Sequence, residues 1–255
     1  MNRLLAVATN TYRESIRERV LYNLVFFGIL MTLSGLLLGR LSIRQDEKIL
    51  KDVGLASVEL FGTLIAIFVG VGLVSKEVDR RSLYPLLAKP LDRREFVLGK
   101  FLGLSLTLAL NTALMTLGLF ATLYLTRGAF DANLLKAVYA IFLTLLLSVA
   151  LALLFSTLAS SAAFASICTV CAVMVGRFSD VIHNMTEVIP DAPLPLINFL
   201  YYALPNFANF DLKARVVYGD PVSLADLAWL TGYALVYAGL ALSAAMLVFE
   251  RKELK

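Results

Sequence analysis

An all-α protein crossing a membrane six times is the fold class this sequence predicts, and three observations predict it. Hydrophobic residues make up 59% of the chain and charged residues only 16%, too few to solvate soluble domains built from 255 residues. Apolar runs of the roughly 20 residues that cross a bilayer recur along the chain. Charges collect between those runs, where lipid would end. The net charge of +4 is small; basic residues placed beside spans orient a membrane protein and need not imply nucleic acid.

The chain reads as one transmembrane domain over residues 1–255, opened by an amphipathic interfacial helix within 1–20. Leu5, Ala8, Tyr12 and Ile16 recur at three- and four-residue steps, while Arg13, Glu14, Arg17 and Glu18 gather on the other side. The helix is expected to lie along the membrane, with a merely solvated helix as the plainer alternative. No cleavable leader is expected, because the first apolar run begins only at Leu21 and no small-residue cleavage site follows it.

Span one is Leu21 to Gly39. A polar connector from Arg40 to Gly54 carries four basic and three acidic residues. Span two is expected at about 56–75, where Gly62, Gly70 and Gly72 would let another helix approach closely. Glu59 falls near its outer end. It reads as an acid reaching headgroups or water, or, if buried, as a functional group lining a path.

Lys76 to Lys100 follows, with seven basic and four acidic residues between two apolar runs. Span three is expected at about 96–125. Asp92 and Glu95 fit a capping box behind Pro90, so this helix would start before it enters lipid. Asn111 lies midway along it with Thr107 one turn earlier; both read as packing groups for a neighbouring helix, and Asn111 alternatively as path-lining. Span four is expected at 134–158 and span five at 162–178, joined by an uncharged turn within 156–162.

Residues 179–225 differ from the rest. They hold five of the seven prolines and five acids against two bases, a balance suited to the outer side. Leu196 to Phe210 is apolar and aromatic but too short to span, and Pro205 would break a helix there. An interfacial or re-entrant segment before the last span explains it. The last span is expected at 226–249. With both termini inside, the inner segments hold 14 Lys and Arg and the outer ones 9, which sets the orientation.

Catalytic chemistry is sparse. The single histidine, His183, has no second histidine to share a metal, and Cys168 with Cys171 lacks the second ligand pair of a zinc site. No metal site is expected. Residues 70–76, GVGLVSK, fail as a phosphate loop: Ser75 stands where glycine should precede the lysine, and Glu77 replaces the magnesium-binding hydroxyl. The chain is expected not to be an enzyme.

That leaves the charged central loop, 76–97. A solvated charged face is its ordinary reading. The alternative is a docking helix: Lys76, Glu77, Asp79, Arg80 and Arg81 close span two, Leu86 and Leu87 form an apolar knob, Pro90 forces a turn, and Arg93, Arg94 and Lys100 follow. Exposed apolar residues among charges mark interfaces.

In order and position Glu77, Ser82-Leu83, Leu86-Leu87, Pro90, Arg93 and Lys100 resemble the pattern after the second span in permease subunits of type-2 ATP-binding-cassette (ABC) exporters. The whole chain is similar in layout to those subunits; Arg81 in place of glycine, and Tyr84-Pro85, depart from the pattern. The resemblance implies a permease subunit of a multi-pass, prokaryotic-type cytoplasmic (inner) membrane exporter. It implies a second permease copy, as homodimer or homologous heterodimer, paired along spans one and five in membrane lipid. It also implies a separate ABC ATPase subunit that holds ATP and Mg, with no cofactor on this chain and no nucleic acid. Glu77, Asp79, Arg80, Arg81, Leu86, Leu87, Pro90 and Arg93 would then form the ATPase-docking coupling helix, with Arg13 and Arg17 beside it. Other readings are a gradient-driven secondary carrier or a membrane assembly factor.

Overall fold

The computed structural model describes residues 3–15, 26–30, 46–79, 93–127, 131–159, 161–179, 181, 201 and 203–251. Seven α-helices are defined: α1 (Arg3–Ser15), α2 (Asp46–Asp79), α3 (Arg93–Arg127), α4 (Leu134–Leu158), α5 (Ala162–Arg177), α6 (Lys213–Tyr218) and α7 (Leu224–Arg251). A 3-10 turn, Ala208–Phe210, precedes α6, and no strand occurs among the described residues. Four helices, α2, α3, α4 and α7, are long and apolar enough to cross a membrane. α5 is apolar but has 16 residues, about 24 Å at 1.5 Å per residue, short of a bilayer core of roughly 30 Å. Of span one, only residues 26–30 are described, and they are helical.

α4 is the central helix. No charged residue interrupts it beyond Lys136, and its polar side chains bond within the helix: Thr144 Oγ1 donates to the Ala140 carbonyl and Ser148 Oγ to that of Thr144. In lipid, helices gain little by hiding apolar surface from one another, so close packing of small residues has to hold them. The α4 alanines 137, 140, 150 and 152 are fully buried, and α2 meets α4 at glycines. A Cβ on Gly62 would lie 2.6 Å from Leu145, and one on Gly70 would lie 3.0 Å from Ala152. Among the described residues Gly72 meets nothing within 4 Å, so two of the three expected close approaches are seen there.

These contacts set the directions. α2 and α4 run parallel, as do α4 and α7, joined by the Tyr139–Thr231 hydroxyl pair at 2.9 Å. α3 runs antiparallel to α2, with Leu119 against Gly54 and Leu104 near Gly70. One end of the bundle therefore gathers the C-terminus of α2, the N-terminus of α3 and the C-terminus of α7, where Phe96 stacks on Phe249 at 5.7 Å.

α2 starts ten residues before the expected span. Part of the expected connector is helix because its charges are neutralised locally: Lys51 pairs with Glu47 one turn earlier at 2.6 Å and with Asp131 across the bundle at 3.0 Å. α4 and α5 keep their expected starts, and Ser161 between them accepts a hydrogen bond from the Phe164 N–H, an N-cap.

α1 is held against α3. It packs along the first turns of α3 and in the same direction, with Val7 against Gly99, and Thr11 and the Ala8 carbonyl against Gly103. Thr11 and Ser15 are buried while Leu5 is exposed. Val7, Ala8 and Thr11 meet α3, while Leu5 of the expected stripe is turned outward. The cause is the Gly99-x-x-x-Gly103 spacing on α3, which opens a groove for a close backbone.

Candidate functional site

The coupling segment begins and ends in helix. Glu77 and Asp79 belong to the last turn of α2 and Arg93 opens α3; the positions of their side chains lie outside the described residues, as do Arg80, Arg81, Leu86, Leu87 and Pro90. Arg13 lies in the last turn of α1 and is exposed, and Arg17 is outside the described residues. Arg94, beside these positions, donates from Nε to Glu250 Oε1 at 2.6 Å, tying α3 to α7. Lys100, expected as part of this charged loop, is instead fully buried in α3, its Nζ 5.6 Å from the centre of the Phe96 ring. The geometry of this end is a set of helix termini converging beside α1, a rigid frame around the two ends of the loop.

The opposite half of the bundle holds a buried ion cluster that no local pattern announces. Glu59 lies 13 residues into α2, about 20 Å from its start, and is 7% exposed. Its carboxylate is turned into the protein. Its Oε1 is 2.6 Å from Arg177 Nη2, at the last residue of α5, and its Oε2 accepts from Lys213 Nζ, at the first residue of α6. Asp211 Oδ1 stands 3.6 Å from the same ammonium. The two cations answer the buried Glu59, which is how a charged group persists in a low-dielectric interior, while Asp211 is more than half exposed at the cluster's edge. Arg177 and Lys213 bracket residues 178–212, so one carboxylate fixes both ends of that stretch to α2. Neither cation was legible as a partner of Glu59, since they stand 118 and 154 positions away.

Between those anchors the chain is non-helical at residues 204–207. Pro205 is non-helical, and the following backbone donors are used individually. The Asn206 N–H donates to the Tyr233 hydroxyl at 2.9 Å, the Phe207 N–H to the Gly176 carbonyl at 3.0 Å, and the Ala208 N–H to Asn206 Oδ1 at 2.9 Å. Irregular backbone at membrane depth is tolerated only where such partners exist. Tyr233 lies nine residues into α7, about 14 Å from its start, and packs on Phe210 and Tyr237.

At the far end, between α3 and α4, burial alone would raise the Asp131 carboxyl, but hydrogen bonds from Lys51 and from the Asn133 N–H, with the Lys51 charge, hold it below the usual carboxylate range. Asn111 is fully buried in α3. Its amide donates weakly to Met115 Sδ on the same helix at 3.4 Å, and its carbonyl oxygen has no partner among the described residues. Thr107 bonds the Gly103 carbonyl of its own helix. Among the described residues neither bonds to a neighbouring helix. Cys168 and Cys171 are free thiols, and His183 lies outside the described residues.

Comparison with curated proteins finds no match. A family model described as "ABC-2 family transporter protein" matches residues 5–254. That span takes in the apolar helices, the charged loop between α2 and α3 and the α7 terminus alike, and on it the chain belongs to the ABC-2 family of transporter proteins, as a membrane-embedded permease.

Proposed function

We propose that this chain is the membrane subunit of an ABC exporter, forming the translocation path as a dimer and driven by a separate ATPase subunit. The observation that carries this is the family match together with the end of the bundle where α2 stops, α3 starts, and α1 and the α7 terminus stand alongside. A push on 80–92 there is delivered directly to two long helices. ATP and Mg act on the partner chain, and this chain hydrolyses nothing. The coupling end faces the cytoplasm with both termini, in a cytoplasmic membrane of the prokaryotic type. Six spans result when residues 21–39 and α5 cross as well, and the bonded, non-helical turn at 204–207 supports a re-entrant segment before α7.

Support for the second copy comes from α5. Phe164, Ile167, Cys171, Met174 and Phe178 recur at alternating three- and four-residue steps and all are exposed, the spacing of a helix–helix seam. Oxidation of membranes is expected to give a disulfide-linked dimer through Cys171, and Cys171→Ser to remove it; monomer only from the unmodified chain would count against pairing along α5.

The deciding experiment reverses the charges at Glu77→Lys and Arg81→Glu together. The ATPase subunit that co-purifies with the chain is then lost, or it hydrolyses ATP without transport. Intact complex and intact coupled transport would exclude docking at this loop. A gradient-driven carrier draws support from one feature, the buried Glu59, since ionisable groups inside spans mark ion pathways. Transport by the purified chain alone under an ion gradient would establish it, and partner binding without transport would indicate an assembly factor.

A further inference from the structure

Between α4 and α7 the bundle is not closed. A cleft of about 290 Å3 lies there, walled by Leu147, Leu151 and Leu154 of α4, Tyr237 and Ala241 of α7, and Pro205. Leu147 and Tyr237 each stand 13 residues into their helices, about 20 Å from the start, so the cleft is at mid-depth. The gap exists because small residues, Ala150 and Ala244 among them, stand where larger ones would close it. Leu240 on its wall is 64% exposed, so the cleft opens sideways, toward the surroundings of the spans.

We propose that this cleft is a binding site for one acyl chain of a membrane lipid. Water does not suit it, because a buried water needs two to four polar partners and, among the described residues, Tyr237 alone puts a polar side chain on the wall. A partner helix does not suit it either. A cylinder about 10 Å across and 10 Å long needs roughly 800 Å3, well beyond the volume present. Left empty, both walls would forfeit dispersion contacts, and hydrocarbon is the medium at the opening. The chain would lean on Pro205, next to the Asn206 and Phe207 N–H groups that hold this turn to Tyr233 and Gly176. Lipid occupancy thus props the non-helical segment against α4 and α7. The proposal rests on the chain's place in a membrane and stands apart from ATPase docking.

The test uses the full chain in vesicles of phosphatidylethanolamine and phosphatidylglycerol containing a phosphatidylcholine with a mid-chain diazirine. After illumination, adducts on residues 147–154 and 237–244 are expected to exceed those on the exposed α3 residues Leu114 and Leu117 by about fivefold. Ala241→Phe, which fills the cleft from its half-exposed side, should remove the excess and leave the α3 adducts unchanged. Equal labelling of cleft and α3 in the unmodified chain means ordinary surrounding lipid only and overturns the proposal, as does full cleft labelling in Ala241→Phe. If that variant fails to fold, the ratio in the unmodified chain decides alone.

Discussion

Glu59→Ala is expected to lower the stability of the purified chain by about 3–5 kcal/mol, the loss that follows when one partner of a buried ion pair is removed. The size comes from what remains. Lys213 keeps 16% of its side-chain exposure and Arg177 keeps 30%, so neither is solvated enough to stand alone, and they face each other across the vacated position. Asp211 answers Lys213 only partly, at 3.6 Å. Glu59→Gln should lose less, because the amide oxygen can still accept from one cation. Replacing all three, Glu59→Leu with Arg177→Leu and Lys213→Leu, should recover most of the loss, since apolar substitution of a whole buried cluster is often neutral or better. Unfolding in one fixed detergent measures the series. An unchanged midpoint for Glu59→Ala would show that the cluster does not hold α2, α5 and α6 together. Protease cleavage within 178–212 should rise in the same variant, because both ends of that stretch lose their common anchor.

Gly103→Leu is expected to lift α1 off α3. Even a Cβ at this position would lie 2.6 Å from the Ala8 carbonyl oxygen and from Thr11 Cβ. The first is backbone, so no rotamer change relieves it, and the branched Leu side chain adds to the clash. Overpacking of this kind costs about 1–3 kcal/mol. Removing a helical glycine would by itself favour the helix by about 0.5–1 kcal/mol, so the clash has to overcome a gain of opposite sign. Gly118→Ala is the matching control on the same helix, where among the described residues a Cβ would meet Phe27 alone, at 3.4 Å. Hydrogen exchange over residues 3–15 should accelerate about tenfold or more in Gly103→Leu, the factor that 1.4 kcal/mol commands, and stay unchanged in Gly118→Ala. Protection of α1 equal in both variants would mean that the glycine groove does not seat it.

Both effects concern contacts that a linear reading missed, and for one reason. Hydropathy and helical spacing are sums over neighbouring residues, so they locate long helices well. The boundary between α4 and α5, Leu158 to Ala162, was legible from an uncharged Ser- and Ala-rich stretch, and the start of α7 was expected within two residues. The start of α2 was missed because Lys51 and Glu47 look like a solvated connector until Asp131, 80 positions away, is brought to 3.0 Å. The Leu5–Tyr12 stripe of α1 is real in the sequence, yet Val7, Ala8 and Thr11 meet α3 while Leu5 is turned outward. The Gly99-x-x-x-Gly103 pair was the available signal for that groove.

The sequence by itself determined that this chain is helical and lives in a membrane, with a charged loop between its second and third long apolar segments, because burying 59% hydrophobic residues in long uncharged runs leaves lipid as the solvent. Only the tertiary structure decided which charges are answered inside that solvent. Glu59, Arg177 and Lys213 come from three helices, and their meeting depends on the depth and rotation of each helix. Those are fixed by close contacts such as Gly62 on Leu145 and Gly70 on Ala152, which no stretch of chain encodes alone.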